Sequence, residues 1–382
     1  MRTIVARLQV MCYMSALPSM TTTREATVNL FTLDQIREAG LSRLSPEIRA
    51  FLEGGSGAET TLTRNQTAFD EIRFAPRVMS GLPFPATSTS LLGIDLSLPI
   101  VTAPVGADGY FDSEGQRAVA RSNARVGIAS VVPEAGTYSL EAVAAAAPAA
   151  AVIGQLHPMG SEQNFLNIIH RYEDAGYRAL CITCDCPTPG WRERNLTNRF
   201  NIDNAAVGGN YPSGAEIDME RALGQLYPQE EPVWSWARLA ELMSRTRLPW
   251  IAKGILTVED ATAAVQAGAS AIAVSNHGGR QLDGVPSPIE VLPSIAMAVK
   301  GQAQIVLDSG IRRGSDVVKA VALGADVVMI GRLVAYGLSA AGERGVDQVL
   351  ALLKGEIQTT LTLLGRGGIR DLDGSAVAWS AR

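Results

Sequence analysis

The sequence predicts a (β/α)8 TIM barrel, with a helical segment ahead of it and a long loop after the fourth strand. Three observations carry this. Eight short β-type runs recur along the chain, and helical patterns lie between them. Most runs are nearly continuously apolar, as strands buried on both faces must be. Charged residues are only 19% of the 382, and hydrophobic residues are 47%, which suits a large buried core and excludes general disorder. Eight βα units fit one barrel; a doubly wound sheet is the alternative.

The runs are Leu98–Val105, Ile128–Val132, Ala151–Leu156, Ala179–Asp185, Trp250–Gly254, Ala271–Asn276, Gln304–Asp308 and Ala325–Gly331. Helical patterns follow the first, third, fifth and seventh: Gln116–Arg125, Glu162–Ala175, Val258–Gln266 and Asp316–Leu323. Gly127, Gly176, Gly268 and Gly324 stand after these helices, where a left-handed C-terminal cap belongs. Ile202–Pro232, inside the one long gap between strands, is polar and acidic without a clean period. It reads as a βα loop on the active-site face, a candidate lid. Residues 31–80 read as one or two helices leading into the barrel. Residues 1–30 read as a disordered tail, or as sequence upstream of a start at Met14 or Met20. The barrel is expected over residues 31–372, with a C-terminal tail at 373–382.

The charge balance, 33 Lys+Arg against 38 Asp+Glu for a net −5, argues against a nucleic-acid-binding surface. It leaves room for a local cationic pocket. The longest low-polarity stretch, Ala142–Gly154, contains Pro148 and is shorter than the roughly 20 residues a membrane span needs. The cysteines are Cys12, Cys181, Cys184 and Cys186. Three lie close together in a β-type run, which is no disulfide framework, so a reducing cytoplasm is expected. Alternation turns Cys181 away from Cys184 and Cys186, so packing is expected there and no metal.

In a barrel the chemistry sits at the C-terminal ends of the strands. Strand three delivers Gln155 and His157; strand four Thr183 and Asp185, followed by Arg192; strand five Lys253. Strand six runs into SNHGGRQLDG, with Ser275, His277 and Arg280; strand seven delivers Asp308, Ser309, Gly310 and Arg312; strand eight Gly331 and Arg332. Folding alone requires none of these groups. Glycines beside Arg312 and Arg332 after strands seven and eight make a phosphate signature, although turn glycines and solvent arginines would read the same. His277 is one of three histidines, flanked by glycines that would expose it. It suits a general base near neutral pH; a satisfied loop histidine is the alternative. Arg280 could clamp a carboxylate bidentately. His170 falls in a helical pattern and reads as structural.

SNHGGRQLDG resembles the active-site motif of the FMN-dependent α-hydroxy acid oxidases and dehydrogenases. So do FLEGGSGAETTLTRNQTAFDEIRFAPRVM, LPIVTAPVG, IAKGILTVEDA and LDSGIRRGSDVVKAVALGADVVMIGR, and the resemblance spans roughly residues 30–372. It implies FMN across the barrel mouth, with the phosphate at Gly310, Arg312, Gly331 and Arg332. Asp308 would lie near the ribityl chain, Ser309 would be a further cofactor-binding residue, and Pro104, Val105, Gly106, Gln155, Thr183 and Ser275 would lie along the ring system. Lys253 would stabilise negative charge on the reduced flavin, His277 would take the substrate proton, and Asp185 would support the imidazolium. Arg192 and Arg280 would bind the carboxylate. A homo-oligomer, a tetramer, is also implied. Oxygen, a quinone and a partner protein all stay open as electron acceptors.

The chain departs from the family pattern at the substrate rim. Glu53 and His157 stand where the family usually has tyrosines, and Pro133 and Ala135 where many members have serine and tryptophan. Strand seven carries Asp308-Ser309-Gly310 in place of Asp-Gly-Gly. The expected activity is oxidation of a 2-hydroxy acid larger than glycolate or lactate. The alternatives are oxidation of a noncanonical biosynthetic substrate, for example at a C–N bond, a degenerate flavin-binding protein, and a flavin-free phosphate-binding barrel. Glu53 would repel a simple carboxylate unless protonated or paired.

Overall fold

The structure is a computed structural model that describes residues 30–158, 160–211 and 234–380. Eight parallel strands close a barrel in chain order. They are β1 Ile100–Thr102, β2 Ser130–Pro133, β3 Val152–Leu156, β4 Ala179–Thr183, β5 Trp250–Ile255, β6 Ala271–Val274, β7 Gln304–Leu307 and β8 Val327–Ile330. β8 pairs with β1 from Val328–Ile100 to Ile330–Thr102, which closes the ring. Every residue of β1, β2, β3, β4, β6 and β8 is buried. That is the physical origin of the unbroken apolar runs. Several strands stop before their expected ends. Asp185, Asn276 and Asp308 lie just past the strand ends, toward the barrel mouth.

The four expected outer helices are present as Gly115–Val126, Glu162–Asp174, Val258–Gln266 and Gly314–Ala322. Gly127, Gly176, Gly268 and Gly324 all have positive φ. Four more helices, Leu140–Ala146, Trp236–Met243, Pro288–Ala298 and Arg332–Leu364, follow β2, the long loop, β6 and β8. Leu140–Ala146 has little polar face to give a period. Pro293 sits inside Pro288–Ala298, and the last segment breaks at Ala341 and Gly342.

Ahead of the barrel stand three helices, not one or two: Leu33–Arg43, Pro46–Glu53 and Thr60–Asp70. Ser45 and Pro46 divide the first pair, with the Ser45 hydroxyl accepting from the Ile48 N–H. The segment after residue 372 packs back on this region: Val377–Trp379 pairs antiparallel with Ile72–Phe74. Of the candidate lid, residues 202–211 include a short helix, Asn204–Val207. Residues 212–232, and the tail 1–29, lie outside the described residues. Among the described residues no helix is long and apolar enough to cross a membrane, and no three His, Cys, Asp or Glu converge on a possible metal position. Cys181 and Cys186 are buried.

Candidate active site

The strand ends open into a cleft of about 800 Å³. Pro104, Val105, Gly106, Gln155, Thr183, Lys253, Asp308, Ser309, Gly310, Arg312, Gly331 and Arg332 all line it, as do Glu53, His157, Arg192, His277 and Arg280. Barrel closure thus gathers side chains from both halves of the sequence. Asp185 and Ser275 stand one layer behind. Ser275 is fully buried, and its hydroxyl accepts from Lys253 Nζ at 3.1 Å and from the His277 N–H at 3.1 Å.

His277 sits just after β6 with φ +60°, an uncommon conformation for a side chain other than glycine. It turns Nδ1 onto Asp185 Oδ1 at 3.1 Å. Asp185 reaches this position beside a bulge in β5 at Gly254, where φ is +102° and a Cβ would lie 2.5 Å from the Asp185 side chain. Burial and the nearby Lys253 charge hold His277 below the ordinary histidine range, against the pull of Asp185. Burial raises Asp185, but His277, through the ring N–H it donates and the charge it carries when protonated, and the Lys253 charge outweigh it and hold the carboxyl below its usual value. Asp185 Oδ2 is buried without a hydrogen-bond partner. The pair is a neutral imidazole whose Nε2 is open as a base, backed by spare negative charge.

Lys253 Nζ lies 3.2 Å from Asp308 Oδ2. Burial works against its charge, but Asp308 and Asp185 outweigh that and raise the pKa, so the ammonium persists. Ser309, at φ +71°, donates to Asp308 Oδ1 at 2.7 Å and accepts from the Gly278 N–H at 2.9 Å.

The arginines divide into two kinds. Arg312 is engaged by Asp70 at 2.9 Å and by Asp316 at 3.4 Å. Its phosphate-site expectation therefore meets a guanidinium already paired with two carboxylates. Among the described residues Arg280 donates to backbone oxygens, Phe51 at 2.6 Å and Gly54 at 2.9 Å. Arg332 likewise donates to the carbonyls of Leu52, Gly278 and Gly54. Burial, with Arg192 and Arg332 as neighbours, pushes the Arg280 pKa down. Guanidinium stays charged in proteins, so this marks a cationic wall that favours an anion.

Glu53 does not stand alone: it is bound by Arg37 and accepts from the Tyr336 hydroxyl at 3.2 Å. The expected repulsion of a carboxylate is therefore removed by pairing. His157 turns Nδ1 onto Glu134 Oε2 at 3.1 Å. Glu134, Tyr211, Arg37 and Tyr336 were not singled out from the sequence, because the contacts that make them matter are formed only in the fold. His170 is exposed on its helix, away from the cleft.

A closed barrel whose mouth combines a buried ammonium, a histidine–aspartate pair and a cationic wall defines a flavin-dependent oxidoreductase. The sequence profile of the FMN-dependent dehydrogenases matches residues 41–379, and the chain belongs to that family. It is 38% identical over 331 residues to an L-lactate oxidase from Lysinibacillus sphaericus (strain C3-41), covering 84% of this chain and 86% of that one. It is 38% identical over 343 residues to a 4-hydroxymandelate oxidase from Amycolatopsis orientalis, covering 87% and 94%. A solved mandelate oxidase with (S)-2-phenylpropionate superimposes with a TM-score of 0.83 at 35% identity, covering 92% of this chain and 98% of the other.

The residues present fit FMN, the family's cofactor. The helix beginning at Arg332 has Gly331 at its N-cap and no capping side chain. Its free N–H groups make an anion site beside the Arg332 guanidinium. Gly310, at φ +93°, passes so close beneath Thr60–Asp70 that a Cβ would lie 2.1 Å from the Asn65 carbonyl oxygen. Only glycine lets the β7 loop line the cleft there. Lys253 supplies a fixed buried cation for a ring system that gains negative charge on reduction.

Proposed function

We propose that the protein oxidises a 2-hydroxy acid, larger than glycolate or lactate, to the 2-oxo acid. One observation carries this reading: a neutral His277 held by Asp185 opens on the same cleft as Arg280, a partly buried guanidinium that donates to backbone carbonyls. FMN, when bound, accepts the two electrons that leave the substrate carbon. Arg280 and Arg192 hold the carboxylate and so orient the hydroxyl-bearing carbon. Oxidation of CH–OH to C=O releases two protons with the two electrons; His277 Nε2 takes one, the other goes with the electrons to the flavin, and Asp185 stabilises the resulting imidazolium. Lys253 remains charged through the cycle because Asp308 partners it.

The size preference is supported by Ala135, which lines the cleft at the position where many family members carry tryptophan. A small acid leaves that apolar wall exposed, forgoing about 25 cal/mol per Å². The names of the relatives, a lactate and a 4-hydroxymandelate oxidase, support the 2-hydroxy acid class. The pairing of Glu53 with Arg37 removes the repulsion of a simple carboxylate expected at that position. The test is anaerobic flavin bleaching with glycolate, lactate, mandelate and the 2-amino acids, followed by air. Mandelate is expected to bleach fastest, with kcat/KM for glycolate at least tenfold lower. Bleaching by amino acids alone, or by none of these acids, overturns the reading; bleaching fastest with glycolate overturns the size preference. Prompt recolouring in air assigns oxygen as the acceptor.

A further inference from the structure

The cleft holds two histidines, and each has a carboxylate behind it. His277 has Asp185; His157 has Glu134. Their surroundings differ in a way that fixes their protons differently.

Glu134 follows β2 and is buried, with its side chain 5% exposed. Both of its oxygens receive donors. The His157 N–H donates to Oε2 at 3.0 Å, and the His157 ring nitrogen Nδ1 lies 3.1 Å from the same atom. The Tyr211 hydroxyl donates to Oε1. Its direction is set by Asn164, whose Nδ2 donates to the Tyr211 oxygen at 3.2 Å. With donors on both oxygens, the proton shared by this pair belongs on the imidazole. A buried carboxylate also demands a positive partner. Arg171, on the helix that carries Asn164, bonds Asn210 and is already paired with Glu141.

His157 Nε2 lies 3.4 Å from Gln155 Nε2. Gln155 points its Oε1 at the Glu134 N–H and its Nε2 at Thr183 Oγ1, 3.0 Å away. A neutral ring would accept here from the Gln155 amide, whereas an imidazolium turns both nitrogens into donors that share one acceptor oxygen. The His157 side chain keeps 17% of its surface open, on the cleft.

We infer that Glu134 is a positioning residue that keeps His157 an imidazolium, and that His157 donates a charged hydrogen bond to an oxygen of the bound acid. This rests on the 2-hydroxy acid reading of the cleft. The groups facing His157 are Glu134 from β2, Gln155 from β3, Cys186 after β4, and Tyr211, through Glu134, from the long loop. Burial opposes the imidazolium, but hydrogen bonds to Cys186 and Glu134 and the Glu134 charge raise the pKa to about 10. His277 goes the other way: burial weighs most, and the Lys253 and Arg192 charges add to it against the pull of Asp185. One cleft thus carries a neutral histidine fit to accept a proton and a charged one fit to donate a hydrogen bond. At His157 the family's phenol is replaced by a cationic donor, which is stronger toward an anionic oxygen.

The experiment has two arms, neither needing turnover. In the first, the holoenzyme is labelled at histidine Cε1 and titrated by NMR; the His157 signal is the one lost in His157→Tyr. It is expected to stay imidazolium-like from about pH 6 to about pH 9, whereas an unperturbed histidine titrates near 6.5. A His157 signal that titrates near pH 6.5 overturns the proposal. In the second arm, the Kd of benzoylformate, an unreactive 2-oxo acid, is read from the flavin spectrum across the same range. Wild type is expected to bind it with little change up to about pH 9. In Glu134→Gln, FMN stays bound and affinity falls about 10-fold or more as His157 loses its proton. Glu134→Gln/His157→Tyr, with a phenol that needs no carboxylate, removes that fall. Wild-type affinity with no added pH dependence in Glu134→Gln overturns the proposal. Failure of the function reading is seen separately, as no bleaching by any hydroxy acid.

Discussion

His277 adopts a conformation that costs of order 1–3 kcal/mol for such a residue. The strain is held by three contacts: Asp185 on the ring, Ser275 on the N–H, and Arg332 on the carbonyl of the next residue, Gly278. A base held this way should act only when neutral, and its pKa is depressed. Protonation removes the base, so kcat/KM should fall as pH drops, and the fall should begin below the ordinary histidine value near 6.5. His277→Ala should bind FMN yet reduce it about 10²- to 10⁴-fold more slowly. Stopped-flow reduction across pH checks both, and an acid limb centred above pH 7 contradicts the depressed pKa. His277, Asp185 and Lys253 were legible in the sequence because each stands at a strand end, a position barrel geometry makes meaningful. Glu134 was not. It follows β2 beside Pro133 without motif, and the Tyr211 whose hydroxyl donates to it lies 77 residues later. No local pattern encodes such a pair.

Among the elements, Thr60–Asp70 ties the N-terminal segment to the mouth. Its N-cap, Glu59, has φ +61° and makes no capping bond through its side chain. Asp283, from the loop after β6, caps the helix instead, accepting from the Thr61 N–H at 2.7 Å and from Thr60 Oγ1 at 2.8 Å. Asn65 and Asn276 add a reciprocal buried pair at 2.8 and 2.7 Å. The strand periods were readable because burial imposes them, but a cap supplied from a distant loop leaves no trace beside the helix. Burial raises Asp283, yet the N–H and hydroxyl donors of Thr60 and Thr61 dominate and hold its carboxyl well below the usual range. Its contribution to stability is therefore full above about pH 4 and is lost as pH falls through the depressed value. Asp283→Ala should cost about 1 kcal/mol, as loss of a helix cap does. Urea unfolding at neutral pH checks this, and an unchanged midpoint would show that the cap is dispensable.

At the scale of the molecule, net charge and local charge oppose each other. The chain carries −5 overall, yet Arg192, Arg280, Arg332 and Lys253 all line one cleft. Lys253 is balanced by Asp308. Arg280 and Arg332 bond backbone carbonyls, so their field reaches into the cleft. Low-dielectric walls focus such a field, and an anionic substrate is drawn against the sign of the whole molecule. Salt shortens the range of that attraction, from about 30 Å at 0.01 M to about 3 Å at 1 M. For mandelate, KM should therefore rise about threefold or more between these salt levels, while kcat, set after binding, should change little. The carboxamide of the same acid has no charge to steer, and its KM should stay flat. Equal salt dependence for acid and amide would place the attraction elsewhere than on the carboxylate, and the cationic wall would then serve FMN alone.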